Sequence, residues 1–202
     1  MKLTVARLGL GVGVLVAGEI ALASAAAADG GDATTGNHCV QQVAGPEVAV
    51  APAPHCFTTY PQAVAYLTGG RVQLSSGLAA EPNGSGTSPE DAQIAAAEIA
   101  NSVFVLSTEY QNSGYGGSTY TFTWSSDCTS FNYAWSSMPS GWNNDISSSH
   151  AGSNCNAIHY DNAGATPNTP PAGSSIQCPT FSSCSSLGTM NDRTSSMRWV
   201  HN

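Results

Sequence analysis

Two hexapeptides carry the densest chemistry in this chain. Asn143–Ser148 reads NNDISS and Asn191–Ser196 reads NDRTSS, 48 residues apart, each placed at the end of a strand-like segment. Both open on two amides or acids and close on two hydroxyls. Such side chains do one of two things. Asn and Asp shape tight turns while Ser hydroxyls bond backbone amides, which is a purely structural role. Or their oxygens face a hard cation, which demands oxygen-only coordination. Residue types alone leave both readings open.

Other constellations are poorer. His38-Cys39 and His55-Cys56 together could form a two-Cys two-His zinc site. An even set of six cysteines in a secreted chain points instead to disulfides. Spacing suggests Cys39 with Cys56, Cys128 with Cys155 and Cys178 with Cys184, although spacing does not choose among the possible connectivities. Ser, His and Asp are all present, but no G-x-S-x-G and no H-E-x-x-H occurs. The histidines His38, His55, His150, His159 and His201 sit in unrelated contexts, so no catalytic residue is expected. Trp124, Trp135, Trp142 and Trp199 could line a sugar-binding face, yet tryptophans beside such loops more often pack the core.

The elements that position these residues follow from composition and pattern. Lys2 and Arg7 precede an apolar run, Leu8–Gly18, and ALASAAAADG then offers A-x-A cleavage sites at Ala25–Ala28. Residues 1–27 therefore read as a signal peptide, and the mature protein as extracellular. No later stretch is apolar enough to span a bilayer, so no membrane span is expected. Cleavage removes the only lysine, leaving Arg71, Arg193 and Arg198 against twelve of the thirteen acids. That balance cannot neutralise a phosphate backbone, which excludes nucleic acid as a partner. The missing lysine also excludes a P-loop, an S-x-x-K nucleophile and a Schiff base.

Residues 28–101 read as an N-terminal α/β or pro-region-like segment. TTYPQAVAYLTGG predicts a short helix, capped by Thr58 or Thr59, with Pro61 in its first turn and Gly69-Gly70 as the stop. Arg71–Leu74 predicts one short strand, and Asn83-Gly84 a turn. Ser88-Pro89-Glu90-Asp91 opens an alanine-rich helix ending near Asn101. The period then switches. SVFVLSTEY and STYTFTW predict two strands joined by QNSGYGG, and residues 102–202 read as a β-domain of ordinary size. Within it Tyr110 and Tyr160 are 50 apart, as are Cys128 and Cys178, which predicts two packed units of about four short strands each.

These residues resemble a known family. YQNSGYGG, with Tyr110, Tyr115 and Gly117, resembles the aromatic-x4-aromatic-x-Gly signature of a βγ-crystallin Greek key, and the hexapeptides resemble that superfamily's [ND]-[ND]-x-x-[ST]-S motif. SGWNNDISS and LGTMNDRTSSMRW are similar in style to secreted microbial members, including the actinobacterial metalloproteinase-inhibitor family. The resemblance covers about Val103 to Asn202. The second unit departs from it: YDNAGATPNTPPAG lacks the second aromatic, and Gly164 or Gly173 would have to supply the bend.

The resemblance implies a mainly β, two-Greek-key sandwich, preceded by a small disulfide-linked segment with one or two short helices. It also implies calcium ligands, exchanged between the two loops: a side-chain oxygen of Asn143 or Asn144, the backbone carbonyl of Asp145 and the hydroxyl of Ser147 in one, and a side-chain oxygen of Asn191 or Asp192, the backbone carbonyl of Arg193 and the hydroxyl of Ser195 in the other. Asp161 and Glu109 are further donor candidates. The motifs hold only two carboxylates and an arginine, so any calcium should be weakly bound. The function expected is a non-enzymatic monomer that inhibits an extracellular peptidase, with the insertion Pro167–Pro171 as the first loop to test. A calcium-binding structural module and an antimicrobial killer-toxin-like protein are the alternatives, because fold alone does not separate them.

Overall fold

The computed structural model describes residues 37–44, 51–74, 100, 102–129, 131–164, 175–179 and 183–202. Residues 1–27, expected as a signal peptide, the expected turn at Asn83-Gly84, the alanine-rich stretch 88–99 and the insertion Pro167–Pro171 lie outside them.

Among the described residues two strands and a helix come first: β1 (His38–Gln42), β2 (His55–Phe57) and α1 (Tyr60–Leu67). The helix starts where its sequence says it should. Thr59 Oγ1 accepts from the Gln62 N–H and Gln62 Oε1 accepts from the Thr59 N–H, a reciprocal cap with proline at the start. It stops at Gly69 and Gly70, whose φ values of 59° and 79° suit glycine. Arg71–Leu74, expected as a strand, is not one. Thr68 Oγ1 accepts the Val72 N–H, and Val72 and Leu74 fold back onto Val64. A local side-chain acceptor and a small apolar cluster thus outcompete sheet pairing.

Eight further strands follow: β3 (Phe104–Asn112), β4 (Gly116–Trp124), β5 (Tyr133–Trp135), β6 (Ser148–Ala151), β7 (Cys155–Tyr160), β8 (Ser175–Cys178), β9 (Ser183–Cys184) and β10 (Ser196–His201). They form two sheets, ordered β2-β1-β4-β3-β6-β9 and β5-β10-β7-β8. The eight divide into two units of four, β3–β6 and β7–β10, as the repeat predicts. Each unit lends its third strand, β5 or β9, to the other unit's sheet. The core is aromatic and sulfur-rich, one cluster that joins Tyr120, Phe122 and Trp124 of β4 with Met197 and Trp199 of β10 and with Ile146, Leu187 and Met190. Tyr110, Tyr115, Trp142 and Trp199 are all buried, the first two packed edge to face.

All three expected disulfides form, Cys39–Cys56, Cys128–Cys155 and Cys178–Cys184. Cys39 and Cys56 lie directly opposite in the β1–β2 ladder, so the zinc arrangement gives way to a cross-strand bridge. His38 Nδ1 meets Thr119 Oγ1 at 3.0 Å, and burial lowers its pKa. The His55 ring lies 4.8 Å from that of Tyr66.

The β3–β4 hairpin turns on Gly114, Tyr115 and Gly117, all at positive φ. Gly117 sits at φ +82°, and a Cβ there would approach Asn112 Nδ2 to 2.7 Å. Gly116, next to it, has ordinary φ and room for a Cβ, its nearest neighbour being 3.7 Å away. Gly117→Ala should therefore cost roughly 1–3 kcal/mol of left-handed backbone strain, and Gly116→Ala a few tenths. Equal urea midpoints for the two variants would show that the bend does not need glycine. In the second unit Gly164, 50 residues after Gly114, also has positive φ, at +87°.

Candidate functional site

The hexapeptides do not end strands; they lead into them. Ser148 begins β6 and Ser196 begins β10. Each motif starts as a turn whose second residue is left-handed, Asn144 at φ 60° and Asp192 at φ 54°. Asn and Asp are the non-glycine residues that tolerate this conformation best. The turn is what allows the two loops to cross.

The crossing is nearly two-fold. Ser147 N–H donates to Tyr110 O at 3.0 Å, and Ser195 N–H donates to Tyr160 O at 2.8 Å. Asn144 N–H donates to Thr194 O and Asp192 N–H to Ile146 O, both at 2.9 Å. Ser147 O accepts from Leu187 N–H, and Ser195 O accepts from Met138 N–H, both at 2.8 Å. These three pairs of bonds relate one loop to the other.

Side chains repeat the exchange. Ser147 Oγ donates to Asp192 Oδ1 at 2.8 Å, while Ser195 Oγ donates to Asn144 Oδ1 at 3.1 Å. The fifth-position hydroxyl of each motif thus meets the second-position oxygen of the other. Both hydroxyls are buried, whereas Asn144 and Asp192 are exposed, so two oxygen-lined corners open towards solvent. Asn143 is exposed beside one corner, and Asn191 bonds Ser113 Oγ through Nδ2 and Ser186 Oγ through Oδ1.

The third-position side chains have partners outside these corners. Asp145 Oδ2 accepts from Gln111 Nε2 at 2.9 Å, and Arg193 forms an ion pair with Asp161 at 2.8 Å. Gln111 and Asp161 are themselves 50 apart, each following the strand tyrosine. The same tether therefore occurs twice, with its charge rearranged. Gln111 went unremarked in the sequence; extending the repeat by one residue beyond Tyr110 and Tyr160 would have found it. Both further donor candidates have partners of their own. Asp161 is engaged by Arg193, and Glu109 points into the core.

Glu109 is fully buried, with Oε2 2.8 Å from His159 Nε2. Its Oε1 accepts from Ser107 Oγ at 2.5 Å and Ser149 Oγ at 3.1 Å. Trp199 Nε1 donates to Ser107 Oγ at 2.8 Å, which ties the network to the second unit's last strand. A register shift between Val105 and Ser107 in the β3–β4 ladder accompanies this placement. Among the described residues, no three His, Cys, Asp or Glu side chains converge as a metal cluster.

Two Greek keys packed in one sandwich with their hexapeptide loops in contact are what the sequence motifs led us to expect, and the trade of third strands is added by the structure. The described residues form a mainly β, βγ-crystallin-like two-Greek-key sandwich. Solved structures resemble it over about half the chain. One, from work on the evolution of the eye-lens βγ-crystallin fold, is 22% identical, covers 48% of this chain and 85% of that one, and has a TM-score of 0.36. A βγ-crystallin domain from Clostridium beijerinckii is 17% identical over 47% of this chain and 97% of its own, with a TM-score of 0.34. One from Flavobacterium johnsoniae is 26% identical over 48% and 96%, with a TM-score of 0.31. The overlaps are loose, and the fold assignment rests on strand order and loop crossing. No family model matches the chain, and no curated protein matches it.

Proposed function

We propose that this is an extracellular, non-enzymatic structural domain that takes calcium weakly where its two loops cross. The observation that supports the reading is the reciprocal pairing of Ser147 with Asp192 and Ser195 with Asn144. Each corner offers a buried hydroxyl and an exposed side-chain oxygen at hydrogen-bond separation, and oxygen donors are what a hard cation takes. The corners differ in charge. Asp192 brings a carboxylate to one, and Asn144 brings a neutral amide to the other, so the Asp192–Ser147 corner is the stronger of the two. With one carboxylate, affinity belongs in the range of extracellular modules, about 10⁻⁴–10⁻³ M. Three disulfides fit an oxidising compartment. Among the described residues no helix is long and apolar enough to cross a membrane.

Calcium should raise the melting temperature only as its concentration passes the dissociation constant, reaching ~2.7 kcal/mol of stabilisation at a hundredfold excess. Ser147→Arg with Ser195→Arg should abolish the shift, since each change removes a hydroxyl and brings a cation to the corner. A double variant that responds to calcium as the parent does would place the ligands elsewhere.

Inhibition of an extracellular peptidase is the second reading. Its support is the disulfide-braced frame, which loses little conformational entropy on docking. An inhibition panel that includes a thermolysin-like enzyme tests it, and no inhibition across the panel would leave the structural or toxin reading.

A further inference from the structure

The six-stranded sheet is longer than its partner at one end. Under the pseudo-two-fold relation β4 corresponds to β8, and β8 ends its sheet, whereas β4 carries β1 and then β2. Among the described residues, β1, β2 and α1 have no counterpart in the second unit. They are an addition to the edge of β4.

The seam they make is extensive and parallel. His38 to Gln42 pair in register with Thr119 to Thr123. Thr119 N–H donates to Asn37 O and Val43 N–H to Thr123 O, both at 2.9 Å, extending the ladder at each end. Inside, Tyr120 Oη donates to Gln41 Oε1 at 3.1 Å, and Cys39, Val43 and Cys56 join the main core. Outside, Tyr60 of α1 packs on Tyr110 and Tyr115. The edge of β4 is thus not self-sufficient. Without β1 it presents unpaired backbone flanked by Tyr120 and Phe122, which is a template for another strand.

The disulfides divide at this seam. Cys39–Cys56 lies wholly within residues 37–74, and the other two lie wholly within residues 102–202. No disulfide crosses, and neither ion pair among the described residues does. What joins the two bodies covalently is residues 75–101, a chain length that reaches up to roughly 90 Å fully extended.

We propose that the 37–74 unit exchanges between two copies of this chain, the β1 of each completing the other's β4. The trans seam would contain the same contacts as the cis one, so the exchange is decided by concentration alone. A linked unit competes at an effective concentration on the order of millimolar, which sets where the dimer appears. The direction of the strands selects the occupant. Two β4 edges meeting directly about a two-fold axis perpendicular to the sheet would pair antiparallel, whereas this edge is shaped for a parallel strand carrying Cys39 and Gln41 inward. The closed monomer is the form at low concentration.

The test uses two full-length chains, one with Val40→Cys and one with Thr121→Cys. These positions face each other across the seam and are buried, 5% and 1% exposed, so neither new thiol is offered to solvent in a closed monomer. The chains are mixed at concentrations rising to about millimolar, oxidised mildly, and run on a non-reducing denaturing gel. Exchange predicts a disulfide between the Val40→Cys and Thr121→Cys chains, its yield rising with concentration. It also predicts that unaltered light and ¹⁵N-labelled chains, mixed at the same concentrations, give hybrid dimers by native mass spectrometry. A link between two Thr121→Cys chains as the main product would mean that β4 edges pair directly, which overturns the proposal. So would an unaltered chain that sediments as a monomer at millimolar concentration. The unaltered chain decides the matter if either variant fails to fold.

Discussion

Replacing either Glu109 or His159 with leucine should cost about 3–5 kcal/mol, and replacing both should cost far less than the sum. Each group is fully buried, and the two meet at 2.8 Å between the sheets. His159→Leu leaves the Glu109 carboxylate with only the hydroxyls of Ser107 and Ser149. Glu109→Leu strands those two hydroxyls and the imidazole N–H together. An orphaned buried polar group costs its full desolvation, while an apolar pair of similar volume strands nothing but the two serines. Among the described residues His159 Nδ1 has no partner, which gives the double variant ground to recover. Urea unfolding of the parent, both single variants and the double variant gives the coupling. Additive losses, or single losses below about 1 kcal/mol, would mean that the pair does not act as a unit.

That pair also shows where sequence reasoning stops. Glu109 and His159 each precede a repeat tyrosine, so the 50-residue spacing that relates Tyr110 to Tyr160 relates them as well. The repeat could have matched them, but nothing in either residue says it points inward. Glu109 in STEY reads as a solvent-facing acid until the register shift between Val105 and Ser107 is known, and such a shift has no signature in one sequence. The hairpin at Gly117 and the cap at Thr59 were legible because each is local and carried by residue type, whereas the cysteine pairs were only suggested by spacing. The partnership of β1 with β4 was not. His38 and Thr119 are 81 residues apart, and two alternating strands do not announce which edge they share. Arg71–Leu74 failed for a related reason: a β-like pattern is only permission to pair, and a nearby threonine hydroxyl took the N–H first.

For the hexapeptides, sequence supplied the residue types and the crossing supplied their meaning. Asn144 and Asp192 become corner residues because a left-handed turn aims them at the opposite loop. Asp145, whose motif position implies a ligand through its backbone carbonyl, has its side-chain carboxylate tethered to Gln111. Arg193 is likewise drawn off to Asp161, which takes its charge out of the corner.

Cys128→Ala with Cys155→Ala should destabilise the protein by about 3.5 kcal/mol, the loop-closure value for the 27-residue separation of that bridge. The bridge ties the loop after β4 to the first residue of β7, so it staples the first unit to the start of the second. Its effect falls on the unfolded chain, which gains freedom when the long loop opens. Both sulfurs are buried, and truncating them adds a small packing loss in the same direction. Cys178–Cys184 provides the contrast. It joins β8 to β9, and so one sheet to the other, but it closes only 6 residues and should contribute about 2 kcal/mol. Unfolded-state entropy therefore ranks the long loop first, whereas a bridge acting by holding the two sheets together in the folded state would rank the short one first. Urea midpoints of the two paired variants, measured with equal m-values, decide between these accounts. A larger loss at Cys178–Cys184 would show that the bridge stabilises through native contacts between the sheets, and that loop length is not what governs this domain.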